Sequence, residues 1–204
     1  MNTNYWNDCY RERQNSISKD YDGWLSVYET QLQPGSRVLD LGCGAGTDVE
    51  ALLKRDVLLT VSDLSPEAVR MVKQAFGEHL EADCFDMRDG FPYADASFDA
   101  VVSDLSLHYF TWAETERIVA GIGRILVPGG AIIARLHSIQ NMEENEGEMI
   151  EENYYIAYGY PRRYFTVQDI RQLFADWRIC TLKENVANRY GREKKVIEFV
   201  ARKL

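Results

Sequence analysis

Cysteine, histidine and proline are sparse, at four, three and five residues in a chain of 204. Cys9, Cys43, Cys84 and Cys180 lie far apart without a C-x-x-C pair, so neither a disulfide framework nor a zinc site is indicated. His79, His108 and His137 are equally scattered, and no metal is expected. No apolar run approaches the ~18 uninterrupted residues that a membrane-spanning helix needs. The stretch Met1 to Ser16 is polar and charged throughout and lacks the apolar centre of a secretion signal. Basic residues are outnumbered 23 to 32, giving a net charge of −9. That balance opposes the counterion-releasing contacts behind nucleic-acid affinity and disfavours anionic membrane surfaces, so neither is an expected partner. There is no internal repeat and no Pro/Ser/Gly linker. With 46% apolar residues the expectation is one cytoplasmic domain over residues 1–204.

What the chain does contain is Val38-Leu39-Asp40-Leu41-Gly42-Cys43-Gly44-Ala45-Gly46-Thr47-Asp48, an apolar strand running into a glycine loop that opens a helix. Alternate glycines strip side chains from the turn and let backbone approach a ligand closely. A dinucleotide fingerprint would place its third glycine one position later, where Thr47 stands. Asp40 ends the strand, and a carboxylate there repels a pyrophosphate but favours a cation. The expected ligand is therefore a cationic nucleoside such as S-adenosylmethionine, which has a sulfonium and an ammonium and no phosphate.

From Arg37 onward, short apolar runs alternate with amphipathic stretches: Val38 to Leu41, Val49 to Leu53, Val57 to Val61, Pro66 to Phe76, His79 to Ala82, Phe98 to Val102 and Ala113 to Leu126. This rhythm predicts a mainly parallel sheet covered on both faces. Ser65 is the expected N-cap of the helix starting at Pro66, and Pro128-Gly129-Gly130 is expected to end a helix before a strand over Ala131 to Leu136. Ahead of this core, residues 1–33 read as a helical segment, with helices over Tyr5 to Gln14 and Trp24 to Leu32. Behind it come a helix capped by Thr166 and a hairpin of Arg178 to Leu182 with Val196 to Ala201, making seven strands in all. Ser138 to Phe165 is too long for an ordinary connection and is expected to be a lid or a mobile loop.

The glycine loop, the acidic end of the next strand and Pro-Gly-Gly, in that order over residues 37–137, resemble the class I, Rossmann-like S-adenosylmethionine-dependent methyltransferases. The resemblance implies a three-layer αβα sandwich with strand order 3-2-1-4-5-7-6, the seventh strand antiparallel. It implies that Asp40, Gly42, Cys43, Gly44 and Gly46 surround the methionine part of the cofactor and that Asp63, about 20 positions on, accepts from the ribose hydroxyls. Leu64 would lie against adenine, Asp83-Cys84 would hold its edge, and Ser103 would pass beneath the sulfonium. Asp86 and Asp89 are close enough to take the place of Asp83. Leu105 to Tyr109 would shape the acceptor side. The C-terminal half is similar to tellurite-resistance and thiopurine-type small-molecule methyltransferases, except for an acidic insert, Glu143 to Glu152, and a Tyr-rich run after it.

The activity implied is methyl transfer to a small molecule, leaving S-adenosylhomocysteine. A sensor that binds without turnover, or a methyltransferase of protein or RNA, are the alternatives, and the chain is expected to be a monomer or homodimer. His108, Tyr109 and Tyr164 are candidates to move a proton, and Leu105, His108, Arg162 and Arg163 to contact the acceptor. His108 reads equally as a buried, hydrogen-bonded histidine, and the two arginines as partners of the nearby glutamates.

Overall fold

The computed structural model describes residues 3–12, 21–142, 147–157, 159–189 and 192–204. Of the acidic insert, Glu143, Glu144 and Glu146 lie outside these residues, as does Tyr158 of the aromatic run. The first five strands are β1 (Arg37–Leu41), β2 (Leu58–Asp63), β3 (Glu81–Cys84), β4 (Phe98–Asp104) and β5 (Leu126–His137). They pair in parallel, and the long hairpin β9 (Trp177–Arg189) and β10 (Arg192–Lys203) completes the sheet by setting β10 antiparallel to β5. The order is β3-β2-β1-β4-β5-β10-β9. Counted within this sheet alone it is the expected 3-2-1-4-5-7-6.

Alternation along the strands explains the layering. Val38, Val61, Val102 and Ile133 pack on one face, while Leu39, Leu41, Val101 and Ile132 pack on the other, all fully buried. Burial on both faces is why these strands read as unbroken apolar runs. Each such side chain contributes about 1.5–3 kcal/mol. The helices are α1 (Thr3–Glu12), α2 (Val49–Leu53), α3 (Pro66–Phe76), α4 (Trp112–Ile125) and α5 (Val167–Leu173). Ser65 caps α3 by accepting the Ala68 N–H at 3.2 Å, and Thr111 with Glu114 and Thr166 with Asp169 form reciprocal capping boxes on α4 and α5.

Three local expectations change. The stretch from Trp24 is a 3-10 turn ending at Tyr28. Pro128-Gly129-Gly130 does not precede the fifth strand but lies inside it, as an excursion between the pairs Phe98↔Leu126 and Ala100↔Ala131. The connection after Ser138 is largely regular: β6 (Glu148–Glu151), β7 (Tyr154–Ala157) and β8 (Tyr160–Arg163) form a separate antiparallel sheet, and Tyr154, Tyr164 and Phe165 are buried. No described helix is long and apolar enough to cross a membrane.

β1 is flanked by β2 on one side and β4 on the other, so the chain reverses its direction of travel across the sheet there. The connections leaving these strands diverge at their carboxyl ends and open a crevice, the usual ligand position in such sheets.

Candidate active site

Two glycines of the loop are required by backbone and by contact. Gly42 has φ +79°, and a Cβ there would stand 2.3 Å from the Cβ of Ser106. Gly44 has φ +53°, and its Cβ would meet the Tyr10 hydroxyl at 2.8 Å. The loop is tied to the next strand as well as to its own, since the Gly42 and Cys43 N–H groups donate to the Ser62 carbonyl at 2.8 and 2.9 Å. Asp63 completes the stitching: one carboxylate oxygen accepts from the Gly44 N–H and the other from the Ser65 N–H, each at 2.9 Å. Burial raises the Asp63 carboxyl above the ordinary aspartate value, against the lowering pull of the Ser65, Gly44 and Leu64 N–H groups.

Above the loop lies a cavity of about 850 Å³, counting the space at its mouth. Gly42 to Ala45, Asp63 and Leu64 form one wall; Phe85, Asp86 and Met87 after β3 form another; Asp104 to Ser106, Tyr109 and Phe110 after β4 form a third. Trp6 and Tyr10 of α1 close the top. Four carboxylates, Asp48, Asp63, Asp86 and Asp104, reach this lining, and among the described residues no lysine, arginine or histidine does.

Each carboxylate is held from behind. Asp48 accepts from the Trp24 indole N–H at 2.9 Å. Burial pushes the Asp86 carboxyl up, but hydrogen bonds from the Arg88 guanidinium and backbone outweigh it and leave it below its ordinary value. Asp104 is gripped by Arg135 through Nε at 2.7 Å and Nη2 at 2.9 Å. Arg135, 1% exposed, also donates to Asp22 at 2.7 Å and lies 4.5 Å from the centre of the Trp24 ring. Burial disfavours its charge, yet the two aspartates hold its pKa above the usual arginine value. The signal was a lone arginine in the apolar run Ala131 to Leu136, which the strand reading passed over.

The cavity brings together Gly42, Cys43, Gly44, Asp63, Leu64, Leu105 and Tyr109 of the expected residues. Asp40 is instead enclosed within β1, between Val61 and Val102 of the neighbouring strands. Gly46 faces Phe76 and Val72 behind the loop. Asp83 turns away, accepting from the Tyr93 hydroxyl at 2.9 Å beside a separate depression, and the exposed Cys84 thiol sits 3.5 Å from the Leu64 carbonyl. Three positions on, Asp86 lines the cavity, which Asp83 does not. Ser103 bonds Ser106 at 2.7 Å, and Ser106 donates to the Leu41 carbonyl at 2.6 Å, so Ser103 supports the residue packed on Gly42. Burial, with Asp63 and Asp40 nearby, pushes the Cys43 thiol well up and away from nucleophilic character.

On the acceptor side, Leu105 is held at φ +54°, a strained setting for leucine, with its N–H bonded to the Arg135 carbonyl at 3.0 Å. Tyr109 lines the cavity with Trp6 edge-on at 5.0 Å, while His108 is buried behind it at 4.1 Å between ring centres. Tyr164 is buried farther back, 5.9 Å from His137. Arg163 pairs with Glu151 and donates to the Phe110 and Glu152 carbonyls at 3.0 and 3.2 Å, while burial pushes its pKa down to about 10. Its role is to fasten β8 to the connection ahead of α4.

Residues 38–130 match a family model described as a methyltransferase domain. The malonyl-[acyl-carrier protein] O-methyltransferase of Herminiimonas arsenicoxydans is 38% identical over 57% of this chain and 44% of its own length. The mRNA cap guanine-N(7) methyltransferase 1 of Oryza sativa subsp. japonica is 30% identical over 75% of this chain and 49% of its own. The chain thus spans about half the length of the curated relatives it matches. A crystal structure of a SAM-dependent methyltransferase from Methanosarcina mazei shares the fold, with a TM-score of 0.77 at 20% identity over 87% of this chain and 97% of that one. The lining suits the cofactor of this class: carboxylates without a base favour a sulfonium and an ammonium, and bare glycine backbone admits close approach. Family match, sheet order and wall chemistry agree: residues 38–130 match a methyltransferase-domain model, in a sheet of the order seen in SAM-dependent methyltransferase structures and beside a cavity whose lining suits S-adenosylmethionine.

Proposed function

We propose that this chain methylates a small-molecule acceptor, and the observation that carries the reading is the set of four carboxylates around the glycine loop, with no basic side chain in the lining among the described residues. When bound, S-adenosylmethionine supplies a methyl group on a sulfonium, open to in-line displacement. The chain's own contribution is binding and placement. Asp63 and Asp86 offer carboxylates to hydroxyl and amino donors, and the backbone of Gly42 to Ala45 provides a floor without side chains. Leu105, Tyr109, Phe110 and Trp6 form an apolar end that excludes water from an acceptor. Fixing two reactants in such a chamber is worth roughly 7–11 kcal/mol of barrier.

Of the proton-moving candidates, Tyr109 lines the cavity, whereas His108 and Tyr164 lie behind it. This favours acceptors whose nucleophile is already anionic or needs little help from a base. The closure by α1 and the net charge of −9 support a small acceptor over a polyanion such as RNA. Calorimetry with S-adenosylmethionine and S-adenosylhomocysteine, followed by labelled-methyl transfer to a panel of small thiols, acids, phenols and RNA, tests the reading. Micromolar binding and transfer to a small acceptor are expected. Transfer to RNA alone would overturn the acceptor class, binding without any transfer would identify a sensor, and tight NAD binding without either adenosyl compound would remove the methyltransferase reading.

A further inference from the structure

Resting on that reading, we propose that the acceptor is an uncharged aromatic heterocycle methylated on a pyridine-type ring nitrogen, so that its product is a cation held among carboxylates and aromatic faces. The first observation is the sign of the chamber. Asp48, Asp63, Asp86 and Asp104 reach the lining, and among the described residues no cationic side chain does. The guanidiniums behind it are engaged with carboxylates, Arg88 with Asp86 and Arg135 with both Asp104 and Asp22, and neither lines the cavity. From the chain itself a small anion in this space would meet carboxylates and the electron-rich faces of rings.

The second observation is the aromatic end of the same cavity. Trp6 and Tyr109 meet edge to face, with ring centres 5.0 Å apart and planes at 71°, and so form a corner; Trp6 also stacks on Tyr10 at 6.2 Å. Phe85 and Phe110 line the cavity with them. Flat apolar faces suit a flat ring, and the negative face of each π system favours a cation above it. Asp104 belongs to the same wall as Tyr109 and Phe110. A ring nitrogen that turns positive there gains from the carboxylate and from the rings together.

The third observation concerns protons. The carboxylates on the walls after β3 and β4 are poor bases, since hydrogen bonds from Arg88 leave Asp86 below its ordinary value and Arg135 grips both oxygens of Asp104. The Ser106 hydroxyl donates to the Leu41 carbonyl, and His108 and His137 are buried away from the lining. A nucleophile with nothing to deprotonate fits such a chamber. An anion meets that condition but is disfavoured by the wall, and an aliphatic amine is attracted but arrives protonated and needs a base to free its lone pair. A pyridine-type nitrogen is neutral and keeps its lone pair in the ring plane, so it meets both conditions. That lone pair forms the N–CH3 bond as the S–CH3 bond breaks, the electron pair of the broken bond stays on sulfur to leave S-adenosylhomocysteine, and the positive charge passes to the ring nitrogen with no proton released. Positive charge thus moves within one acidic chamber and is neither created nor cancelled there.

N-methylisoquinolinium, isoquinoline and naphthoate share one bicyclic frame and differ in charge, so their calorimetric titration into the full chain saturated with S-adenosylhomocysteine tests this. N-methylisoquinolinium is expected to bind at least about ten-fold more tightly than naphthoate, with isoquinoline between them. Tyr109→Leu, which removes a π face, should reduce that ratio about three-fold, and Tyr109→Phe should keep it. Labelled methyl from S-adenosylmethionine should pass to at least one of isoquinoline, pyridine and N-methylimidazole and yield the N-methylated cation. Naphthoate binding as tightly as the cation, no cation binding up to millimolar concentration, a ratio that Tyr109→Leu leaves unchanged, or transfer to naphthoate or to none of the three heterocycles would each overturn the proposal. Failure of S-adenosylhomocysteine to bind would instead strike the methyltransferase reading on which it rests.

Discussion

Replacing Asp63 with alanine is expected to damage the fold and the cofactor site together. The carboxylate accepts from the Gly44 and Ser65 N–H groups at 2.9 Å each, so alanine removes the acceptor that joins the glycine loop to the start of α3. Alanine leaves two backbone N–H groups without their acceptor, at about 1–3 kcal/mol each, and relieves the burial cost of the carboxylate, for a net loss of about 2–4 kcal/mol. For a chain of this size that lowers the melting temperature by roughly 5–15 °C. The same carboxylate lines the loop wall, and its removal should weaken S-adenosylmethionine by ~10–150-fold. Asparagine keeps one acceptor oxygen but turns an amide N–H toward a backbone N–H, so it should recover stability only in part. Thermal melts with and without cofactor, set beside calorimetry, measure both effects. Wild-type melting and wild-type affinity in Asp63→Ala would refute the placement. Melting alone unchanged would mean that Asp63 grips ligand without supporting the fold.

Asp63 also sets a pH dependence of unusual sign for a carboxylate. Its folded pKa is raised, so the native state binds more protons between the unfolded value of about 3.9 and the raised one, and its contribution to stability falls as pH rises through that window. S-adenosylmethionine affinity should strengthen over the same window, and calorimetry across it should show this component missing in Asp63→Asn. Arg135→Met strands the Asp104 side chain, 3% exposed, beside the cavity and should cost about 3–5 kcal/mol in denaturant unfolding, with much of it recovered in the double variant with Asp104→Asn; wild-type stability of the single variant would contradict the buried network. Asp86→Asn should weaken S-adenosylmethionine about ten-fold while Asp83→Asn leaves it unchanged, and the reverse ranking would return the role to Asp83.

Sequence reasoning reached those features that local chemistry dictates. Unbroken apolar runs specified strands buried on both faces, Gly42 and Gly44 specified a loop stripped of side chains, and Ser65 and Thr166 specified helix starts, because each of these follows from a few neighbouring residues. The order of the strands came from resemblance, since alternation says which residues are buried but not which strands are neighbours. That Asp86 lines the cavity and Asp83 does not has a geometric origin. Period-two alternation stops where β3 stops, at Cys84, and the 3-10 turn at Met87 then aims Phe85, Asp86 and Met87 at the cavity.

Other features are properties of the assembled fold. Arg135 binds Asp104 and Asp22 across 31 and 113 residues of chain, a pairing that the strand pattern around it cannot specify. The roof made by α1 and the meeting of His108 and His137 likewise join segments far apart in sequence. The sequence by itself thus determined the layers and the glycine floor. Which carboxylates line the cavity was decided only by tertiary structure, because electrostatic partners are chosen by distance in space and not by separation along the chain.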